Sequence, residues 1–173
     1  MYNENEKRNV TVVLGDNTVG KTTIAQAFRW VLYGAVLTER GKQQEDYQLL
    51  NNDILAMMDA NSKADVTVEL VAVDDEKRYR IKREIHYTRA YPQLIAKEFY
   101  KKVSLEISEK DNPDACISVE PEKIEEVIHE LFPRNLSHYF LFDGERWNDV
   151  TVNGVRENIK ESVHTLTGLS AYQ

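Results

Sequence analysis

Eight residues near the start, Gly15-Asp16-Asn17-Thr18-Val19-Gly20-Lys21-Thr22, fit G-x-x-x-x-G-K-[ST] without deviation. At average composition the four fixed positions coincide at about 1 in 30,000 sites, so chance does not produce the pattern in a chain of 173 residues. Its context is also right. Asn9–Leu14 is a β-branched apolar run of the kind that forms a strand buried on both faces. Lys21–Tyr33 has helical periodicity, with Ile24, Phe28, Val31 and Leu32 on one face and Gly34 as a stop.

Strand, glycine loop and helix N-terminus together make a phosphate cradle. Gly15 and Gly20 permit the torsions that aim backbone N–H groups at one anion, and the helix start adds its positive end. Lys21 can reach the β- and γ-phosphates of a nucleoside triphosphate. The Thr22 hydroxyl suits Mg²⁺ and Thr23 the α-phosphate. Residues Gly15, Asp16, Asn17, Thr18, Val19, Gly20, Lys21, Thr22 and Thr23 are therefore expected to bind ATP with Mg²⁺.

The rest of the chain reads as α/β with an antiparallel insert. Residues 65–73 alternate as a strand through Val66, Val68, Leu70 and Ala72, and Asp74-Asp75-Glu76 turns into a second. That second strand sets Tyr79, Ile81, Ile85 and Tyr87 on one face and Arg78, Arg80 and Lys82 on the other. A third, around Val103, Leu105 and Ile107, ends in a turn at 111–114. A short helix is expected near 52–59. Pro121 opens another, with the stripe Ile124, Val127, Ile128 and Leu131, and Pro133 closes it. Tyr139–Phe142 is a short apolar strand running into Asp143-Gly144-Glu145, and a last helix covers about 154–166.

The strand ending at Asp143 admits two readings. It is a Walker B strand with Asp143 on Mg²⁺, as in a small stand-alone kinase or nucleotidase, or a core strand that ends in an acidic turn. The surrounding sequence points further, to a larger assembly. From Leu131-Phe-Pro-Arg-Asn-Leu-Ser through Phe142-Asp-Gly-Glu145 to Leu166-Thr-Gly-Leu169, the chain resembles the N-terminal head segment of SMC-like ABC ATPases. These include the SbcC-type double-strand-break repair ATPases and, with Phe-Asp-Gly-Glu, the DndD-type ATPases of DNA phosphorothioation. The resemblance spans residues 9–170 and implies a P-loop NTPase lobe, in which Asp143 takes the Q-loop position beside Mg²⁺ and the attacking water. A carboxylate there can serve the metal but cannot donate hydrogen bonds as the usual amide does.

The resemblance further implies a C-terminal lobe of the same protein and a second head that closes over the nucleotide. The sequence reads as half a head, and catalysis is expected from the completed dimer, with this chain alone nearly inactive. A nucleotide-gated binding module without turnover is the non-enzymatic alternative.

Net charge is −7, yet residues 76–102 carry nine Lys/Arg against three Glu. Arg78, Arg80, Lys82 and Arg83 alternate there with Tyr79 and Tyr87, and Tyr91, Phe99 and Tyr100 follow. Lysines and arginines neutralise phosphates and rings stack on bases, whereas the plainer reading is a solvated sheet face. With the family's DNA lying across this lobe, sequence-independent DNA contact is expected. The histidines show no metal-ligand spacing. A single cysteine, Cys116, excludes an internal disulfide and indicates a reducing compartment. No signal peptide and no apolar run of the roughly 20 residues a span requires is present, so the expected location is cytoplasmic.

Overall fold

The structure is a computed structural model that describes residues 12–16, 20–37, 43–44, 47–74, 76–90, 95–134 and 137. Its elements, in chain order, are α1 (Lys21–Tyr33), β1 (Val36–Leu37), β2 (Gln43–Gln44), α2 (Asn52–Met57), β3 (Lys63–Val73), β4 (Lys77–Ala90), β5 (Ile95–Glu109), β6 (Asn112–Ser118) and α3 (Pro121–Leu131). Strands β3 to β6 form one antiparallel sheet in sequence order, and β1 pairs with β2 in a two-stranded ribbon. The expected strand at Tyr139–Phe142 and the last helix lie outside the described residues.

Alternation decides which face of the sheet is covered. Along β4, Tyr79, Ile81, Ile85 and Tyr87 are buried, and along β3 each second residue from Ala64 to Ala72 is half-buried. Helices α1 and α3 pack on that face. Val31, Leu32, Tyr79, Ile81, Leu105, Ile124 and Ile128 form one cluster, and Trp30, Val36, Leu50, Leu55, Ile85 and Tyr87 form its neighbour. The Tyr87 hydroxyl is not stranded by burial, since it accepts from the Leu49 amide at 3.2 Å.

Local chemistry sets the element ends. α1 stops at Gly34, which takes φ 67° and sends its N–H to the Trp30 carbonyl, a left-handed cap that suits glycine. Asn51 caps α2 by accepting from the Asp53 and Ile54 amides. The β3–β4 turn is tied by Asp74, whose carboxylate accepts from the amides of Glu76 at 2.9 Å and Lys77 at 2.6 Å. Its second oxygen accepts from the Tyr79 hydroxyl at 3.0 Å.

Three expectations are corrected. The insert has four strands, because 112–118, whose Asn-Pro-Asp start reads as a turn, pairs with β5 through Ser118, Ile117 and Asn112. Of the stripe expected on α1, Val31 and Leu32 are buried, but burial is confined to the C-terminal turn from Arg29 to Leu32, and Ile24 and Phe28 remain 48% and 41% exposed. Val12–Leu14 pairs with no strand among the described residues, and Val12, Val13 and Leu14 are all exposed. A strand buried on both faces needs neighbours on both sides, and the antiparallel sheet supplies none to this run.

Candidate nucleotide site

Gly20 takes φ 95°, a conformation open to glycine and costly for other residues, and it delivers the chain into α1. The first helical hydrogen bond runs from the Ile24 amide to the Gly20 carbonyl at 3.2 Å. Gly20 offers no side chain to cap the amides ahead of it, no side-chain cap is found among the described residues, and no acidic residue stands in the first turn. With glycine at the cap, this start gives up only about a few tenths of a kcal/mol relative to Ser, Asp or Asn. Its open N–H groups and positive dipole end suit an anion from outside the chain.

Lys21 folds back along the loop. Its ammonium donates to the carbonyls of Gly15 at 2.7 Å and Asp16 at 2.6 Å, holding a positive charge beside the helix start. Lys21, Thr22 and Thr23 are exposed, so their ammonium and hydroxyl groups face solvent at the same place. The donor set fits a phosphate chain: one cation, uncapped amides and two hydroxyls, without a nearby carboxylate in the first turn to repel it. It fits Mg²⁺ through the Thr22 hydroxyl. Among the described residues no group of three or more His, Cys, Asp and Glu side chains could hold a metal on its own. Asn17, Thr18, Val19 and Asp143 lie outside the described residues.

The residues expected at DNA are divided by the sheet. Arg78, Arg80 and Lys82 stand on the outer face, opposite Val73, Val71 and Glu69 of β3. Arg80 lies between Glu69 at 3.7 Å and Glu106 at 3.5 Å, and Lys82 meets Glu84 at 2.8 Å. The hydrogen bond that the Lys82 ammonium donates to Glu84 holds it above its usual pKa. Arg83 belongs to the opposite face and is 5% exposed. Its Nε donates to the Val31 carbonyl at 3.2 Å and its Nη2 to Glu125 at 2.9 Å, joining β4 to α1 and α3. Grouping Arg83 with the exposed row is therefore corrected; the period of two had already set it beside Ile81 and Ile85.

The sequence of the chain matches the family model described as an AAA domain, over residues 6–169. The chain belongs to that family. As an AAA domain it is a P-loop NTPase domain, a nucleotide-binding unit of the ATPase class, and the matched span includes the loop and helix start described above. The match also takes in the Asp143 segment. Among curated proteins and among solved structures, nothing matches the chain significantly. No helix among the described residues is long and apolar enough to cross a membrane.

Proposed function

We propose that this AAA domain is the ATP- and Mg²⁺-binding N-terminal lobe of an SMC-like ATPase that processes DNA in modification, restriction or repair. The observation that carries the nucleotide reading is the uncapped start of α1, with Lys21 held against the Gly15 and Asp16 carbonyls. On nucleotide binding Lys21 exchanges those carbonyls for the β- and γ-phosphate oxygens, a stronger, charge-assisted pairing. The amides at the head of α1 fix the phosphate chain in place, and Thr22, with Asp143, would hold Mg²⁺. Held there, Mg²⁺ would supply charge neutralisation at the phosphate oxygens.

The remaining groups come from elsewhere in this reading. Val12–Leu14 before the loop and Ile24 and Phe28 on α1 after it are exposed apolar residues, suited to cover by the C-terminal lobe of the same protein. The signature motif of a second head then closes over the nucleotide. DNA contact on the outer face draws on Arg78, Arg80 and Lys82, with Arg83 supporting the sheet from behind. The lone cysteine accords with a cytoplasmic location.

Positioning and charge stabilisation make up most of phosphoryl-transfer catalysis, so a chain holding one source of three turns over slowly. A steady-state ATPase assay compares this chain with a protein carrying both lobes. The expected result is turnover well below about 1 per second for the chain alone and in the ordinary enzyme range for the pair of complete heads. Turnover near that rate by the chain alone contradicts the two-lobe reading and favours a self-sufficient kinase or nucleotidase.

A further inference from the structure

The outer face of the sheet has a second end, away from Arg78 and Arg80, where the charges are not balanced in the same way. Read across β3, β4 and β5, Lys63, Thr88 and Lys97 make one row, Asp65, His86 and Tyr100 the next, and Thr67, Glu84 and Lys102 the third. Between His86 and Tyr87 the ladder slips, so that Phe99 is an extra residue between Glu98 and Tyr100. Neighbours on a regular strand point to opposite faces. Here His86 lies 5.8 Å from the Phe99 ring and 5.0 Å from the Tyr100 ring, so one imidazole touches two successive aromatics. The bulge has re-aimed a side chain, a common use of bulges near binding sites.

The rings are not buried by this arrangement. Phe99 is 51% exposed and Tyr100 46% exposed, so the bulge gathers them without adding them to the core. Lys63 sets its ammonium 5.2 Å from the Phe99 centroid. Of the acids in the outer-face rows, Asp65 pairs with His86 at 2.5 Å and Glu84 with Lys82 at 2.8 Å, while Glu98, next to Phe99, stands opposite Tyr87 of the covered face. Lys97 and Lys102 are exposed and stand opposite Thr88 and Glu84 in the outer-face rows on either side of Tyr100. The patch is therefore aromatic at its centre and cationic at its edge.

We propose that this end of the sheet binds an unpaired nucleic-acid strand, with bases on Phe99 and Tyr100 and phosphates at Lys63, Lys97 and Lys102. The proposal rests on the reading of the chain as a lobe of a DNA-processing ATPase, and adds the form of strand and the surface that takes it. Splayed bases offer π-faces to exposed rings, whereas a duplex keeps its faces stacked inside and would meet only the lysines. An acidic protein partner would use the lysines but would leave two gathered rings without a role.

Fluorescence anisotropy with the full chain tests this, using labelled oligothymidylate, oligouridylate and a DNA duplex, each of about 15 nucleotides per strand. Single strands should bind more tightly than the duplex. Phe99→Leu and Tyr100→Leu, which keep apolar bulk but lose the π-face, should weaken single-strand binding at least about fivefold and leave duplex binding unchanged. Lys97→Glu and Lys102→Glu should weaken both and lower the salt slope by about 0.7 for each phosphate lost from a single strand. Preference between the two single strands tells DNA from RNA, and either supports the surface. No single-strand binding, or binding indifferent to both ring substitutions, overturns the proposal. So does a lowered melting temperature in the ring variants with unchanged binding, since the rings would then be serving a fold contact. MgATP titration of the same variants keeps the two sites apart: unchanged nucleotide binding alongside any of these results leaves the P-loop reading standing.

Discussion

Arg80 and Arg83 sit three positions apart on one strand and have opposite fates. Arg80 is exposed, and its partners Glu69 and Glu106 lie at 3.7 and 3.5 Å, a solvated network of the sort that contributes little. Arg83 is buried, and its hydrogen bond to the Val31 carbonyl satisfies a helix group that packing has removed from water. Arg83→Met should therefore destabilise the fold by about 2–3 kcal/mol in urea denaturation, and Arg80→Met by about 0.5 kcal/mol or less. Equal effects would remove the distinction. Gly34 is tied to the same arginine: a Cβ there would stand 3.0 Å from Arg83 Nη1, on a backbone at φ 67°. Gly34→Ala should cost about 1–2 kcal/mol from the torsion, measurable in the same titration, and more where Arg83 cannot shift.

Among the elements, the β3–β4 hairpin makes a pH-dependent claim. The amides of Lys77 and then Glu76 hold the Asp74 carboxyl below its ordinary value of 3.8. A carboxylate lowered by folding stabilises the fold above the unfolded pKa, and that contribution is lost as pH falls through the lowered folded value. The stability gap between the protein and Asp74→Asn should be constant near neutrality and narrow below about pH 4. A gap that widens with acid would contradict the role. The same hairpin shows what was legible in sequence: period-two alternation placed Tyr79, Ile81, Ile85 and Tyr87 on the core face, and α1 runs from Lys21 to Tyr33 as its periodicity and Gly34 indicate. β6 was hidden because each of its residues is exposed, so no apolar alternation marks it. The side of α1 that packs was also misplaced in part. Of the expected stripe Val31 and Leu32 do pack on the sheet, but Ile24 and Phe28 do not, and Trp30 joins from the C-terminal turn. The bulge at Phe99 has no sequence signal either, since a register slip is set by both strands at once.

For the whole molecule, the phosphate cradle was the most legible feature, because glycine torsions, a lysine and a helix start must coincide at fixed spacing. The family match over residues 6–169 agrees with it. The partners proposed for the chain rest on resemblance alone, since exposed apolar residues tell that cover is favourable and not what supplies it. The account stands on the cradle, and isothermal titration of MgATP into the full chain, beside Lys21→Ala, tests it most directly. Lys21 is exposed and bonds only to loop carbonyls among the described residues, so its loss should leave the melting temperature in place. The account predicts one site per chain, weakened at least about tenfold by the substitution, the loss of one charge-assisted contact. Equal affinity in the two proteins, or no binding by either, would contradict it.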